Sequence, residues 1–295
     1  METIDRRLRE NRTEEERKAQ TAAATAARKN LPSTREQAKG NEEQVLRWIG
    51  SWGFTSPSIL RKLVGAQSLK TIEKNKLISR LETGTTYVPY IYKLTKLGVQ
   101  ITGELYNDDV PNTYVETDSS RIRLDKIRHE LTAQHITLEQ EIINQRYFIT
   151  FYTEREYRDL GEIIYMNLNS KNYKIPDVIW FIQTENAEIQ RQAIEVELTK
   201  KGSADPASST RYKLDQFIER VIFSLERKDF YEYVIYSRNN GLLADYKAAF
   251  GTGQTFGIYD KDRYGKPYQV KKVEIPAHLS KKVLFRKIED DGRNL

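Results

Sequence analysis

The feature that most constrains the fold is a pair of short apolar segments that carry carboxylates and are joined by a polar turn. The first segment, IPDVIWFIQ, places Asp177 directly after a proline. The second segment, QAIEVELTK, alternates apolar residues with Glu195 and Glu197. Alternation with a period of two is typical of a β-strand with one buried face. The two segments therefore predict a pair of strands whose acidic side chains face either water or a shared site.

Helical patterns on both sides of this strand pair indicate whether the acidic side chains face water or a shared site. Apolar residues recur at helical spacing over residues 120–145, where His135 is interpreted as a core residue, and again over residues 208–228. With the further strands and helices that follow, the chain predicts an α/β (α+β) sandwich in which helices flank a mixed sheet. Carboxylates inside a covered sheet are costly unless they are paired or bind a metal ion. We therefore expect Glu195 and Glu197 to face a site; the wet face of an edge strand is the alternative.

The amino-acid composition limits the ligands that such a site can use. The chain has no cysteine and three histidines, which excludes thiolate sites and disfavours histidine-rich ones. Oxygen ligands remain, and they favour Mg²⁺ or Mn²⁺. Asp177 and Glu195, on adjacent predicted strands, can share one ion. Glu197 lies two residues further on the same face, where it can help to hold a second ion or accept a proton from an attacking water.

Residues 41–105 carry a different pattern, in which capping residues mark short helices. Ser56 and Pro57 are suited to the N-cap and the first position of a second helix. A third helix is predicted over residues 68–82, with a plausible cap at its first serine, and a glycine turn and a strand-like alternation follow it. Thr95 is suited to cap a closing helix.

Three short helices followed by a two-stranded wing form the plan of a winged helix-turn-helix domain. In that plan the third helix is the recognition helix and lies near the major groove of double-stranded DNA. The residues predicted to contact DNA lie on its exposed face: Lys70, Thr71, Lys74 and Asn75. The alternatives are a small helical domain that binds protein and a winged helix used for dimerisation.

Composition divides the chain into four segments. Residues 1–40 are rich in charged residues and alanine but lack an apolar stripe, so we interpret them as a flexible arm that is either disordered or contacts DNA. Residues 41–105 form the predicted winged-helix domain, and residues 106–119, which show no periodicity, form a linker. Residues 120–295 form the predicted sheet domain.

Charge and hydropathy bear on the partners and the location of the chain. The net charge of +6 is compatible with nucleic-acid binding or with solubility alone. No apolar run approaches the roughly 20 residues that a membrane span needs. The N-terminal sequence METIDRRLRE has no hydrophobic segment of the kind found in signal peptides. We therefore expect no membrane insertion and a cytoplasmic location.

The order of a helix, a strand with P-D, a strand with E-x-E and a long helix resembles the PD-(D/E)xK nuclease superfamily over roughly residues 120–260. Asp177 matches the first half of its motif, and Glu195 matches the acidic residue of the second half. The resemblance implies a restriction-endonuclease-like sheet and phosphodiester cleavage that depends on a divalent cation.

Two positions qualify this resemblance. Glu197 stands where the superfamily usually has lysine, although some restriction enzymes have glutamate there. Lys200 or Lys201 is close enough in sequence to reach back and replace the missing lysine, although the strand alternation does not require it. The resemblance also implies that a helix carboxylate completes the site, and Glu130 is the candidate.

A winged helix, an R-H-E-L helix and P-D followed by E-V-E together look similar to replication-relaxation proteins and MOBC-type plasmid mobilisation relaxases. This resemblance implies metal-dependent, strand-specific nicking at a plasmid origin of transfer during conjugation. It carries over to Asp177, Glu195 and Glu197, and extends to His129 or Glu130. The implied partners are double-stranded DNA, nicked or single-stranded DNA, accessory mobilisation proteins and a coupling protein.

The resemblance leaves the fate of the cut strand open. A relaxase that keeps the cut end needs a tyrosine nucleophile, and Tyr212, at the start of the long helix, is the candidate; the alternative is a packing residue. Two other functions also stay open. One is a sequence-specific DNA-binding regulator or replication factor with a non-catalytic nuclease-like domain, and the other is a dimeric restriction-type endonuclease that breaks both strands.

Overall fold

The structure, a computed structural model of the 295-residue chain, describes seven stretches of sequence. These are residues 33–86, 88–106, 126–144, 146–157, 175–199, 201–202 and 210–288. Within them, helices and strands form a mixed α/β arrangement, which confirms the predicted fold class at that level. The greater part of the predicted arm and of the predicted linker lies outside the described residues. In the described ranges, no helix is long and apolar enough to cross a membrane.

The described helices and strands are labelled here in chain order. The helices are α1 (Thr34–Trp52), α2 (Pro57–Val64), α3 (Ala66–Lys74), α4 (Lys96–Tyr106), α5 (Ile127–Ile143), α6 (Arg211–Glu226), α7 (Asn240–Ala249) and α8 (Ala277–Ser280). The strands are β1 (Ile78–Glu82), β2 (Tyr90–Leu94), β3 (Phe148–Thr153), β4 (Val178–Gln183), β5 (Ile189–Val196), β6 (Glu232–Ser237), β7 (Thr255–Lys261), β8 (Pro267–Glu274) and β9 (Val283–Lys287).

Contacts divide the chain into two units, Met1–Glu42 and Glu43–Leu295. Of the first unit, the structure describes only the beginning of α1. A capping box fixes this end of the helix. The Ser33 hydroxyl accepts a hydrogen bond from the Glu36 amide at 3.2 Å, and the Glu36 carboxylate accepts one from the Ser33 amide at 2.7 Å. The helix therefore begins inside the segment that the sequence predicts to be a flexible arm.

The predicted caps of α2 and α4 are present. The Ser56 hydroxyl accepts a hydrogen bond from the Ile59 amide, and Pro57 occupies the first position of α2. The Thr95 hydroxyl accepts one from the Gly98 amide at 3.1 Å, and α4 begins at the next residue after Thr95. These side chains satisfy backbone donors that have no partner within the helix.

The third predicted helix is shorter than expected, and the prediction of a helix over residues 68–82 was wrong at both ends. Helix α3 runs from Ala66 to Lys74 and is followed by Lys76, whose φ of 58° lies in the left-handed region and ends the helix. Residues 78–82 instead form β1, which pairs antiparallel with β2. From Ser79 to Glu82 the side chains alternate between half-buried and exposed positions, while Ile78 at the start of the strand is buried.

The central sheet has five strands in the order β3-β4-β5-β6-β9. The first three strands are antiparallel, whereas β5, β6 and β9 run parallel. The predicted pairing of the two carboxylate-bearing strands is confirmed, with Val178 opposite Ile194. This register places Asp177 across from Glu195 at the start of β4. Strand β9 was not predicted, because five residues show too few periods to be distinguished from a loop.

Helices cover both faces of this sheet, as the sequence predicts. On one face, α5 packs against a core that includes Trp180 and Ile194. On the other face, α6 packs against a second core that includes Ala193. Because side chains of a strand alternate between faces, Glu195 and Glu197 lie on the same face as Ala193, toward α6.

The helices before residue 106 share an apolar core with the central sheet. Buried hydrogen bonds reinforce this contact. The Trp48 indole donates to the Gln134 side-chain oxygen at 3.2 Å, and the Gln134 amide donates to the Phe54 carbonyl at 2.8 Å. The Thr153 hydroxyl donates to the Ser51 carbonyl at 2.9 Å. Helix α1 is therefore tied to both α5 and β3.

Strands β7 and β8 form a separate antiparallel hairpin. The hairpin packs against α6, where the Tyr259 hydroxyl donates to the Asp215 carboxylate at 3.1 Å. Phe256 anchors its base in the core beside α6. The predicted strands in this region are thereby confirmed, and they lie outside the central sheet.

Candidate functional site

Glu195 and Glu197 are buried at the C-terminal end of β5, on the face of the sheet that α6 covers. Their exposed fractions are 0% and 4%. The Glu197 amide donates to the Tyr236 carbonyl at 2.8 Å, which extends the parallel ladder with β6 by one residue. Neither carboxylate therefore faces bulk water, and the alternative of a wet edge strand does not describe them. Burial of two carboxylates is costly unless a cation pairs with them or they take up a proton.

Lys201 supplies that cation by reaching back from the end of the strand. Its ammonium contacts the Glu197 carboxylate and lies 4.0 Å from the nearer oxygen of Glu195. The ammonium also lies 4.2 Å from the centre of the Phe217 ring on α6. The Lys201 backbone amide donates to the Tyr246 hydroxyl at 3.1 Å. Of the two lysines that the sequence indicates, Lys200 lies outside the described residues, and Lys201 is in the site.

Gly202 allows the chain to turn at this point. Its φ of +80° lies in the left-handed region, and a Cβ atom there would lie 2.2 Å from the Thr210 carbonyl oxygen. Both conditions favour glycine. The residue after Lys201 therefore packs against the residue that precedes α6, so the first turn of α6 lies beside the backbone at Gly202.

Asp177 has different partners from the two glutamates. Its Oδ2 atom accepts a hydrogen bond from the Val196 amide at 2.8 Å and lies 3.2 Å from the Nε2 atom of His129 on α5. The same Nε2 atom is 2.8 Å from the Val196 carbonyl oxygen. Asp177, His129 and the Val196 peptide therefore form one closed arrangement that fixes the Asp177 carboxylate at the start of β4.

Electrostatics link this arrangement to the glutamates. Burial lowers the pKa of the His129 ring, but the hydrogen bond and charge of Asp177 outweigh that effect. The Val196 carbonyl and the charge of Glu197 act in the same direction, and the pKa of His129 is raised overall. The charge of Glu197 therefore acts on the His129–Asp177 pair.

Glu130 lies beside His129 in the first turn of α5 and is half-buried. Burial raises the pKa of the Glu130 carboxyl to about 7. The positive charges of His129 and Lys126 oppose this shift, and the negative charges of Glu154 and Asp177 add to it. Near neutral pH this carboxyl is therefore present in both protonation states, as proton transfer requires.

The raised pKa of Glu130 predicts a pH-dependent stability. The folded chain binds the Glu130 proton more tightly than the unfolded chain, so this stabilisation is complete below pH 4.5 and is lost as pH rises through about 7. We expect the free energy of unfolding of Glu130→Gln to fall less between pH 5 and pH 8, by up to about 3 kcal/mol. Urea denaturation across this range measures the difference.

An exposed glutamate on α6 provides the control for this measurement. Glu226→Gln is expected to follow the wild-type pH profile, because Glu226 is exposed. His129 titrates with the same sign and is retained in both variants, so the difference between profiles is the contribution of Glu130 together with its electrostatic coupling to His129. Parallel profiles for Glu130→Gln and the wild type would contradict the assignment.

The carboxylate oxygens suit a hard divalent cation, but Asp177 and the two glutamates are engaged with different partners. Within the described ranges, no group of three or more His, Asp or Glu side chains is close enough to hold a metal ion. Glu195 and Glu197 already reach one shared cation, the Lys201 ammonium, while Asp177 is bonded to His129. Oxygen ligands of this kind fit Mg²⁺ or Mn²⁺, so the glutamate pair is where an ion would bind, with Asp177 on the adjacent strand.

Tyr212 lies away from the ammonium. Its ring packs against the Tyr259 ring of β7, with the ring centres 6.2 Å apart. Phe217, which contacts Lys201, is five residues further along α6 and therefore roughly 140° around the helix axis. Tyr212 thus takes part in the packing between α6 and β7, the role that the sequence leaves open as its alternative.

The residues predicted to contact DNA lie on one exposed side of α3 and at its end. Leu69 and Ile72 are buried beneath them and fix the orientation of the helix. The predicted DNA-contacting residues are all exposed: Lys70, Thr71, Lys74 and Asn75. Hairpin β1–β2 follows directly, as a wing would.

Two residues of the site were not predicted from the sequence. Phe217 and Tyr246 contact Lys201 through its ammonium and its backbone amide. In the sequence both appear as ordinary apolar positions of amphipathic helices. Only the packing of α6 and α7 on the same sheet face brings them to the end of β5. The charge of Glu197 and burial of the ring raise the pKa of Tyr246 to about 12, with burial the larger effect.

Comparison with known proteins adds no assignment. No protein-family model, no curated protein and no solved structure matches this chain.

Proposed function

We propose that this protein is a metal-dependent DNA endonuclease that nicks one strand at a specific site, as a plasmid mobilisation relaxase does. The observation that supports it most directly is the contact of the half-buried Lys201 side chain with the buried carboxylates of Glu195 and Glu197. Lys201, four residues after Glu197, places an ammonium where the superfamily motif has its lysine and this sequence has Glu197. Asp177 stands on the neighbouring strand, as in the P-D half of the motif.

The element order also supports this proposal. Helix α5, strands β3 to β5, helix α6 and strand β6 follow one another as in the nuclease pattern. The two carboxylate-bearing strands are adjacent and central. A fold of this kind places its functional side chains where strands end beside a helix N-terminus, and Lys201 and Gly202 lie at such a position.

Each charged group has a defined task in the proposed reaction. Mg²⁺ or Mn²⁺ held by the Glu195–Glu197 pair, with Asp177 on the adjacent strand, would neutralise charge on the phosphate and activate water. Lys201 compensates the buried glutamates while no metal is bound, and offers a cation to the phosphate oxygen once a metal replaces it. His129 positions Asp177. Glu130, with its pKa of about 7, is suited to take or give a proton.

Hydrolysis is favoured over a covalent tyrosine intermediate. Tyr212 packs against Tyr259, and Tyr246 is buried with its hydroxyl accepting a backbone hydrogen bond. The Tyr246 side chain is 1% exposed, and the half-buried Tyr212 ring is engaged in packing between α6 and β7. We therefore propose that water attacks the phosphorus and that the cut strand is released from the protein.

Site selection is assigned to the segment before residue 106. Three helices, a hairpin and a closing helix follow one another there, and α3 presents an exposed polar side with two lysines. We propose that this segment is a winged helix that reads double-stranded DNA with α3. The proposed substrate is a plasmid origin of transfer in the cytoplasm, and the proposed partners are accessory mobilisation proteins and a coupling protein.

The test starts from DNA that the protein itself selects. A random duplex pool is enriched on the purified chain, and an enriched sequence is cloned into a supercoiled plasmid. We expect Mg²⁺ or Mn²⁺ to convert this plasmid to the open circular form, without linear product, and chelation to stop the reaction. Linear product would support a restriction-type enzyme instead. A protein–DNA adduct that survives detergent would overturn the hydrolytic step.

Replacement of the exposed lysines of α3 tests whether this helix binds DNA. Lys70→Ala with Lys74→Ala is expected to weaken binding to the selected duplex about tenfold and to reduce the salt slope by nearly 2. Fluorescence anisotropy across a salt series measures both effects. Lys247→Ala with Lys281→Ala, two exposed lysines elsewhere, should leave both unchanged. Equal binding by the two pairs of variants would contradict the assignment of α3.

A DNA-binding regulator without cleavage is the second candidate. The observation that favours it is that the Lys201 ammonium already occupies the point that both buried glutamates reach. If this ion pair persists when DNA binds, the glutamates serve stability alone. If the protein is such a regulator, we expect it to enrich a duplex sequence but not to convert the supercoiled plasmid to the open circular form in Mg²⁺ or Mn²⁺. The plasmid assay therefore separates the two functions directly.

A further inference from the structure

Hairpin β7–β8 carries an exposed surface of tyrosines and basic residues that the proposed cleavage does not use. Tyr264 in its turn is 73% exposed, and Tyr268 in β8 is 49% exposed. Every residue of β8 from 267 to 272 is exposed. Basic residues are interleaved with these two rings: Lys261, Arg263, Lys266, Lys271 and Lys272. We call these seven residues the hairpin surface.

The charge of the hairpin is directed outward. Residues 255–274 hold five basic and three acidic side chains, which gives a net charge of +2. The Asp262 carboxylate accepts hydrogen bonds from the Tyr264 and Lys266 amides, both at 2.8 Å, so it serves the turn. The Arg263 guanidinium lies 4.7 Å from the centre of the Tyr264 ring. An aromatic face and a cation are thus presented together.

The base of the hairpin is fixed to the first turn of α6. At its base, the Arg211 guanidinium donates to the Thr255 carbonyl at 3.3 Å and pairs with Asp215 at 2.7 Å. Asp215 also accepts from Tyr259 of β7. Arg211 begins α6, directly after the Thr210 carbonyl against which Gly202 packs. The first turn of α6 therefore joins the hairpin to the strand end that carries Lys201.

Exposed tyrosines interleaved with cations fit one class of ligand best. Single-stranded nucleic acid offers unstacked bases that pack on aromatic rings and phosphates that pair with Lys and Arg. Duplex DNA offers only phosphates to such a surface, because its bases are already stacked. An acidic peptide would satisfy the cations but would leave the rings unused.

We infer that the hairpin surface binds single-stranded DNA, with bases stacked on Tyr264 and Tyr268 and phosphates paired with the surrounding Lys and Arg side chains. The choice of DNA over RNA rests on the proposed function, whereas the binding itself rests on the hairpin alone. Joined through α6 to the strand end of the proposed cleavage site, such a surface can hold a strand that has left the duplex.

The experiment uses the full chain with Glu195→Gln, so that the probe stays intact. A fluorescein-labelled oligothymidylate of about 12 nucleotides is titrated by fluorescence anisotropy. We expect Tyr264→Ala with Tyr268→Ala to weaken binding about tenfold or more, with the salt slope unchanged. Lys271→Ala with Lys272→Ala is expected to lower the salt slope by about 1.4. Tyr264→Phe with Tyr268→Phe keeps the rings and is expected to keep the affinity.

Tyr231, just before β6 and outside the hairpin surface, provides a matched control. Tyr231 is 45% exposed, and the Lys282 ammonium lies 5.0 Å from its ring centre. Tyr231→Ala removes a similarly exposed ring with a nearby cation and should leave binding unchanged. Circular dichroism melting of every variant shows that the exposed substitutions leave the fold intact.

Each other outcome overturns a stated part of the inference. Equal affinity of the alanine variants, or an equal loss in Tyr231→Ala, would show that the hairpin surface is not the binding site. An equal loss for duplex DNA would overturn stacking, and tighter binding of oligouridylate would overturn the choice of DNA. If the wild type fails to nick but the hairpin variants lose oligothymidylate binding, the proposed function fails and this inference stands. If the wild type nicks but the hairpin variants bind oligothymidylate as the wild type does, this inference fails and the proposed function stands.

Discussion

Glu195→Gln is expected to abolish nicking of the selected plasmid, with a loss of at least about 10³-fold in rate. The substitution keeps the shape of the buried side chain and removes the charge that would hold a divalent cation. Asp177→Asn is expected to do the same, because the neighbouring strand then offers a neutral ligand. The rate of conversion from supercoiled to open circular plasmid in Mg²⁺ and in Mn²⁺ measures both effects.

Binding and fold provide the necessary controls for these variants. Anisotropy with the selected duplex should give wild-type affinity, since α3 is unchanged. Glu188→Gln alters an exposed glutamate in the turn before β5 and should nick at the wild-type rate. Nicking at the wild-type rate by both Glu195→Gln and Asp177→Asn would refute the assignment of the site, whatever the binding result.

Lys201→Met is expected to lower the free energy of unfolding by about 3 kcal/mol. The substitution leaves two buried carboxylates without the ammonium that compensates them, while methionine retains the contact with the Phe217 ring. Urea denaturation with and without chelator measures the loss. Lys247→Met, which changes an exposed lysine on α7, is the control and should cost little.

Divalent cations turn this variant into a test of the metal site. A cation bound by the glutamates replaces the missing charge, so Mg²⁺ or Mn²⁺ should stabilise Lys201→Met more than the wild type, in which the ammonium competes. A melting temperature that rises with metal only in the variant supports the proposal. Identical shifts in the variant and in Lys247→Met would show that the glutamates do not bind the metal, and would favour the regulator.

Periodicity predicted the elements with long or strongly alternating patterns. Strands β4 and β5 and helix α6 follow from apolar spacing, and the caps at Ser56 and Thr95 follow from local hydrogen bonding. The end of α3 was predicted wrongly because Leu77 and Ile78 fit the apolar stripe of a helix as well as the buried side of a strand. Pairing with β2 decides between them, and that pairing is a tertiary contact.

The candidate site was predictable only in its strand residues. The positions of Asp177, Glu195 and Glu197 follow from strand pairing and alternation. The return of Lys201 does not, because it depends on the turn at Gly202 beyond the end of the strand. The pairing of His129 with Asp177 joins residues far apart in sequence, and only the packing of α5 on the sheet specifies it.

The hydrogen bonds of Gln134 to Trp48 and to the Phe54 carbonyl have a consequence for where the DNA is cut. They join the helices that lead to α3 to the helix that carries His129, through a side chain that is fully buried. If α3 reads the origin and β5 cuts it, the number of base pairs between the two points is set by the protein. Base pairs inserted next to the reading sequence would then move the nick to new bases while its distance from that sequence stayed constant.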